Sequence, residues 1–152
     1  MKKLSRIGSL SKKIYRIYSN DLNTKLQSNG FLDLRPSFLE ILMYICENHA
    51  VSIKEIGLAC GLKKQTMTSH LNELEKRDYI VRKVSDKDRR EFVVSLTEFG
   101  EMFKFTLLAA SSELEEEYLK NISEVEMDRI AIMLDQLYIK IQSRRDEQIR
   151  LL

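Results

Sequence analysis

The chain has 152 residues, 43% hydrophobic and 32% charged, with one Pro and five Gly, which excludes collagen-like, low-complexity and mostly disordered classes. A chain of this length buries roughly 68–70% of its unfolded surface on folding, so a single helix-rich domain over residues 1–152 is expected. The net charge of +2 hides an uneven distribution: residues 1–27 carry seven Lys/Arg against one Asp, residues 63–90 nine against five acidic, and residues 98–128 nine acidic against two basic. Two basic regions of this kind suit a polyanion partner, although solvated helix surface has a similar composition.

Ile7, Leu10, Ile14 and Ile17 recur at steps of three and four, which predicts an amphipathic helix reaching about Leu26 and ending near Asn29-Gly30. A second helix is predicted over 37–48, with Leu39, Leu42 and Cys46 on one face; Arg35-Pro36-Ser37 leads into it, and Ser37 can cap. The third opens at the capping box Ser52-Ile53-Lys54-Glu55 and closes at Gly61, where a left-handed turn costs little. The fourth runs from about Lys64 to Arg77 and buries Met67, Leu71 and Leu74. Helix, tight glycine turn, helix is the helix-turn-helix pattern.

Tyr79–Ser85 and Phe92–Leu96 are rich in β-branched and aromatic residues and flank the charged run Asp86-Lys87-Asp88-Arg89-Arg90, so a β-wing with a long tip is expected. Thr97 can cap a fifth helix from Glu98 to about Lys120, and Ser123-Glu124-Val125-Glu126 is a second capping box. Met127, Ile130, Leu134, Leu137 and Ile141 then keep the alternating steps of a helix-pairing seam. A helix over 124–150 would be about 40 Å long and would need a partner to cover it. The predicted fold is mostly α with a small β-wing: a winged helix-turn-helix region over 36–100, with dimerisation helices at 1–30 and 101–152.

The fourth helix carries the functional reading. With Met67, Leu71 and Leu74 inward, Gln65, Ser69, Asn72 and Lys76 face outward, flanked by Thr66 and Thr68. Gln and Asn can bond adenine bidentately, while Ser and Thr are permissive and Thr offers a methyl group to thymine. Recognition helices read with their first turns, so Lys64, Gln65, Thr66, Thr68 and Ser69 are the candidate contacts in a major groove, while Glu73 and Lys76 lie too far along. At the wing tip, Arg89 and Arg90 beside Lys87 suit a narrow, electronegative minor groove. Asp88 is out of place against phosphate and is expected to pair with the arginine two residues on and hold its guanidinium in position.

The stretch Ile53–Gly100 resembles the MarR family of winged-helix transcription regulators. The residues that carry the likeness are Leu74-Glu75-Lys76-Arg77, Tyr79-Ile80-Val81, Asp88-Arg89-Arg90 and Leu96-Thr97-Glu98-Phe99-Gly100, at one ungapped spacing that joins helix, wing and next cap. The resemblance implies a homodimer with interleaved terminal helices, a palindromic operator in double-stranded DNA, and most often a repressor. It also implies that Arg90 enters the minor groove while Asp88 steadies it. Two positions depart from the family pattern: Lys63 stands where Ser is common, and Asp78 where Gly is common. Lys63 removes a usual cap but adds a contact that positions the phosphate backbone. Dimerisation is assigned to Ile7, Leu10, Ile14, Ile17, Leu134, Leu137 and Ile141, and backbone positioning to Lys63, Lys64, Lys87 and Arg89.

Other chemistries find less support. No Gly-rich phosphate loop or GxSxG is present, so no catalytic residue is assigned and the protein is not read as an enzyme. With His49 and His70 the only histidines, a zinc site would need scattered carboxylates; no metal and no cofactor is expected. Cys46 and Cys60 fall on apolar faces, where cysteine is usually an inert hydrophobe, although an oxidant-sensing regulator is one alternative and a protein-interaction winged-helix module another. Relatives in the family often bind a small aromatic effector where the dimer helices meet the winged region. Tyr15, Tyr18 and Phe38 could line such a cavity, but aromatic residues at helical spacing ordinarily pack as core, so no ligand residue is assigned. No stretch approaches the roughly 18 apolar residues of a membrane span and residues 1–10 lack a signal peptide's apolar segment, so a cytoplasmic protein without a membrane partner is expected.

Overall fold

The computed structural model describes residues 2–32 and 34–152. Its elements run α1 (Lys3–Ser28), α2 (Pro36–Glu47), β1 (Val51–Ser52), α3 (Ile53–Cys60), α4 (Lys64–Lys76), β2 (Ile80–Val84), β3 (Phe92–Leu96), α5 (Glu98–Tyr118) and α6 (Glu124–Arg150). Where the sequence suggested one domain, the contacts fall into two compact units, Met1–Ser111 and Ser112–Leu152, with the boundary inside α5.

In the first unit, α2 is the central element. Its apolar residues do not stop at one stripe: Phe38, Leu39, Ile41, Leu42, Ile45 and Cys46 are all buried, so the helix is surrounded on more than the single face its spacing suggested. Pro36 occupies the first turn and Arg35 is the N-cap without a side-chain bond, so Ser37 lies inside the helix instead of capping it. Proline supplies the fixed φ and needs no acceptor for a missing N–H, which lets the helix start one residue earlier.

The Ser52 hydroxyl accepts from the Glu55 amide at 3.1 Å and caps α3, and Gly61 ends that helix at φ +64°. The left-handed turn sends the Leu62 amide back to the Gly57 carbonyl at 3.1 Å and launches α4 after two residues. Met67, Leu71 and Leu74 are then fully buried, as their spacing predicts.

The sheet is antiparallel in the order β1-β3-β2. The hairpin pairs Ile80 with Leu96 and Val84 with Phe92, which leaves a seven-residue tip from Ser85 to Glu91. Tyr79 and Ser85, expected as strand ends, lie outside the ladder. Tyr79 follows Asp78, whose φ of +66° turns the chain sharply between α4 and β2, and it packs with Phe31, Phe99 and Phe103 at centroid distances of 5.0–6.4 Å. This aromatic cluster ties the α1–α2 connection and the first turns of α5 to the base of the wing. The two-residue strand β1 pairs Val51 with Val94 and has no counterpart in the sequence reading, because two residues are too few to show a period of two.

In the second unit, Ser123 and Glu126 form a complete capping box: the Glu126 amide donates to the Ser123 hydroxyl and the Ser123 amide to the Glu126 carboxylate, at 3.2 and 3.0 Å. The bonds its carboxylate accepts from the Ser123 amide and hydroxyl hold Glu126 below the usual carboxylate range. The helix they start, α6, has 27 residues and none buried; Met127 and Leu137 are half-buried, while Ile130, Leu134 and Ile141 are exposed. No helix among the described residues is long and apolar enough to cross a membrane.

Candidate nucleic-acid interface

The first unit carries both predicted contact elements, α4 and the wing. On α4, Lys64, Gln65, Thr66, Thr68 and Ser69 are all exposed, opposite the buried Met67, Leu71 and Leu74. Lys63 is the N-cap, in extended conformation and without a side-chain cap bond, so it neither blocks the helix start nor satisfies its first amides. The Thr68 hydroxyl donates back to the Lys64 carbonyl at 2.9 Å; its one proton is used, and outward it offers an acceptor lone pair and a methyl group. His70 packs edge-on against Phe38 at 4.9 Å, away from the outward face.

The tip of the wing is a closed network. The Ser85 hydroxyl accepts from the amides of Lys87 and Asp88 at 3.2 and 3.3 Å, and the Ser85 amide donates to the Glu91 carbonyl at 2.9 Å. Asp88 Oδ1 accepts from the Arg90 amide at 3.0 Å and from Arg90 Nε at 3.3 Å. The pairing expected between Asp88 and the arginine two residues on is therefore present in geometry. It orients a guanidinium whose side chain is 91% exposed, so the carboxylate acts on the direction of the group and contributes little to stability. Lys87 and Arg89 are exposed on the same tip.

Sequence reading alone did not find Arg82. From β2 its Nε donates to Glu75 Oε2 at 2.8 Å and its Nη2 to Asn72 Oδ1 at 2.7 Å, so the wing is bonded to the outward side of α4. The only signal was a cation in a strand facing a helix with an Asn and a Glu three residues apart, and nothing in the local pattern says which strand register brings them together.

The other candidates take these positions. On α1, Ile7, Leu10, Ile14 and Ile17 are 38–65% exposed, an uncovered apolar stripe. Phe38 is buried, with the guanidinium groups of Arg35 and Arg77 5.9 and 5.3 Å from its ring centre; Tyr18 is half-buried and Tyr15 exposed. Phe38 is thus a packed residue. Burial pushes both thiols, Cys46 and Cys60, up to about 11, which lowers the reactive thiolate fraction instead of raising it.

Residues 26–91 match the model of the MarR family. The chain is 36% identical over 121 residues to the HTH-type transcriptional regulator SarZ of Staphylococcus aureus, covering 79% of this chain and 75% of that one. The fold is shared with a MarR transcriptional regulator of Methanosarcina mazei, at a TM-score of 0.76 and 19% identity over 91% of this chain and 98% of the other. It is shared too with reduced AbfR, solved bound to DNA, at a TM-score of 0.71 and 18% identity over 92% of each chain. With its helix-turn-helix, its Asp88-Arg89-Arg90 wing tip and a relative this similar over most of its length, the chain belongs to the MarR family of transcriptional regulators.

Proposed function

We propose that the protein acts in the cytoplasm as a homodimer that binds a palindromic operator and represses transcription. In this reading α4 enters a major groove, and Gln65, Thr66, Thr68 and Ser69 meet base edges there. Arg90 enters the adjacent minor groove, and Lys63, Lys64, Lys87 and Arg89 neutralise phosphates. A second copy covers the apolar stripes of the terminal helices, with Ile7, Leu10, Ile14 and Ile17 on α1 and Leu134, Leu137 and Ile141 on α6. The observation that carries the reading is the wing tip. Folding does not require a 91% exposed arginine side chain whose Nε and backbone amide both donate to one carboxylate, whereas such pre-orientation suits entry into a narrow anionic groove.

The test is enrichment of random duplexes by the purified protein, followed by titration of the enriched duplex at several salt concentrations. An inverted repeat with half-sites about one helical turn apart is expected. The four phosphate-neutralising cations per copy (Lys63, Lys64, Lys87 and Arg89) give a slope of log K on log salt of about −7 for the dimer. Replacing Arg90 with Ala should weaken binding by about 1–3 kcal/mol per half-site with the fold intact. Wild-type affinity in Arg90→Ala would refute the role given to the wing.

A further inference from the structure

Arg82 has a chemistry that its place in the hairpin does not explain. It sits on β2 with its side chain 27% exposed, and its bonds run to two residues of α4, Glu75 and Asn72, which are three residues apart and therefore neighbours on one helix face. A guanidinium has only donors, so the Asn72 atom it meets at 2.7 Å must be the carbonyl oxygen; the orientation of that amide is fixed by chemistry. Asn72 is exposed, and its amide nitrogen makes no hydrogen bond among the described residues. An asparagine that reads adenine uses its oxygen and its amide together, accepting from N6 and donating to N7. With the oxygen engaged by a charged donor, the amide is what remains. The same guanidinium lies against the Glu75 carboxylate at 2.8 Å and offsets a negative charge on a helix whose outward face is otherwise suited to a polyanion.

We propose that Arg82 is a positioning residue of the DNA-reading surface: by holding Asn72 Oδ1 and Glu75 it turns the Asn72 amide to the duplex as a donor only. Asn72 then donates to a single acceptor, which is a purine N7, guanine O6, thymine O4 or a phosphate oxygen, and does not make the bidentate contact to adenine N6 and N7. The inference rests on the DNA-binding reading above and deepens it. Arg82 touches no phosphate, and its contribution passes through α4.

The experiment compares wild type, Arg82→Ala, Arg82→Lys, Asn72→Ala, Asn72→Asp and the Arg82→Ala/Asn72→Ala double variant on the enriched duplex. Circular dichroism and thermal unfolding confirm that each variant folds. Arg82→Ala should lose about tenfold in affinity, the size of one charge-assisted hydrogen bond, with the salt slope unchanged. Arg82→Lys, which reaches one oxygen but not two, should recover part of the loss. In the Asn72→Ala background the Arg82→Ala change should cost much less, because the two act as a unit. Asn72→Asp keeps an acceptor for Arg82 and removes the outward donor, so it should unfold at the wild-type temperature and bind at least as weakly as Asn72→Ala.

Reselection with Asn72→Ala separates the two acceptors: relaxed preference at one position per half-site identifies a base, and a uniform loss identifies a phosphate. The proposal is overturned by a salt slope about 0.9 shallower per copy in Arg82→Ala, by additive losses, or by wild-type affinity in Asn72→Asp. If wild type itself bound no duplex, the DNA-binding reading would fall and this inference with it. If wild type binds and the variants match it, only this inference fails.

Discussion

Gly100 ends the Leu96-Thr97-Glu98-Phe99-Gly100 run and lies buried in the first turn of α5, against the turn that joins α4 to the wing. An added Cβ would meet the Tyr79 carbonyl oxygen deep inside the roughly 3.3 Å at which carbon and carbonyl oxygen touch. It would also lie 3.1 Å from both Leu96 Cβ and Leu96 Cδ2. The carbonyl cannot retreat freely, because it accepts from the Thr97 amide at 3.1 Å, while the Thr97 hydroxyl caps the Gly100 amide at 3.0 Å and donates to the Asp78 carbonyl. Two effects oppose each other in Gly100→Ala. Helix propensity favours alanine by about 1 kcal/mol, whereas overpacking against backbone costs about 1–3 kcal/mol. Loss of the Thr97–Tyr79 bond costs about 1 kcal/mol more. The clash involves backbone and not the end of a flexible side chain, so the upper part of the range applies and the net loss is about 2–3 kcal/mol. For a chain of this size that is a fall in Tm of about 4–12 °C, read by calorimetry or by far-ultraviolet circular dichroism at fixed protein concentration. A Gly100→Ala variant as stable as wild type, or more so, would show that propensity outweighs the contact and would refute this account of the turn.

Asp78 at φ +66° is the other strained position of that turn, and Asp78→Ala should be less stable than Asp78→Gly by about 1 kcal/mol in urea unfolding, since only glycine adopts a left-handed backbone without a Cβ penalty. Burial raises the Cys46 and Cys60 pKa values from 9.0 to about 11, so alkylation at neutral pH should run about 100-fold slower than for a free thiol of pKa 9. Because both values are raised in the folded state, their contribution to stability is complete below about pH 9 and is lost as pH rises towards 11, and unfolding followed across that window should show the decline. On α6, Leu134→Asp with Ile141→Asp places two charges on a seam that is 41–43% exposed in the single chain; sedimentation should move from dimer to monomer, and an unchanged dimer would exclude this seam from the interface.

What could be read without a structure is what depends on neighbours in the chain. The Ser123–Glu126 box, the Gly61 turn, the α4 stripe of Met67, Leu71 and Leu74, and the Glu124–Arg150 span all follow from groups within four residues of one another, where the 3.6-residue period and the unsatisfied end amides leave few choices. The Asp88–Arg90 pair belongs with them, since its members are two positions apart in the chain. The tertiary structure alone decided what depends on chains meeting in space: the pairing of Val51 with Val94, the wing register that sets Val84 against Phe92, and the burial of α2 on several sides. It also decided the bonds of Arg82 to Glu75 and Asn72, seven and ten residues away, because they form only when the Asp78 turn folds β2 back against α4. A sequence pattern records which face a residue prefers; it does not record which residue of another element will stand opposite, and that is set by register and by the left-handed turn at Asp78.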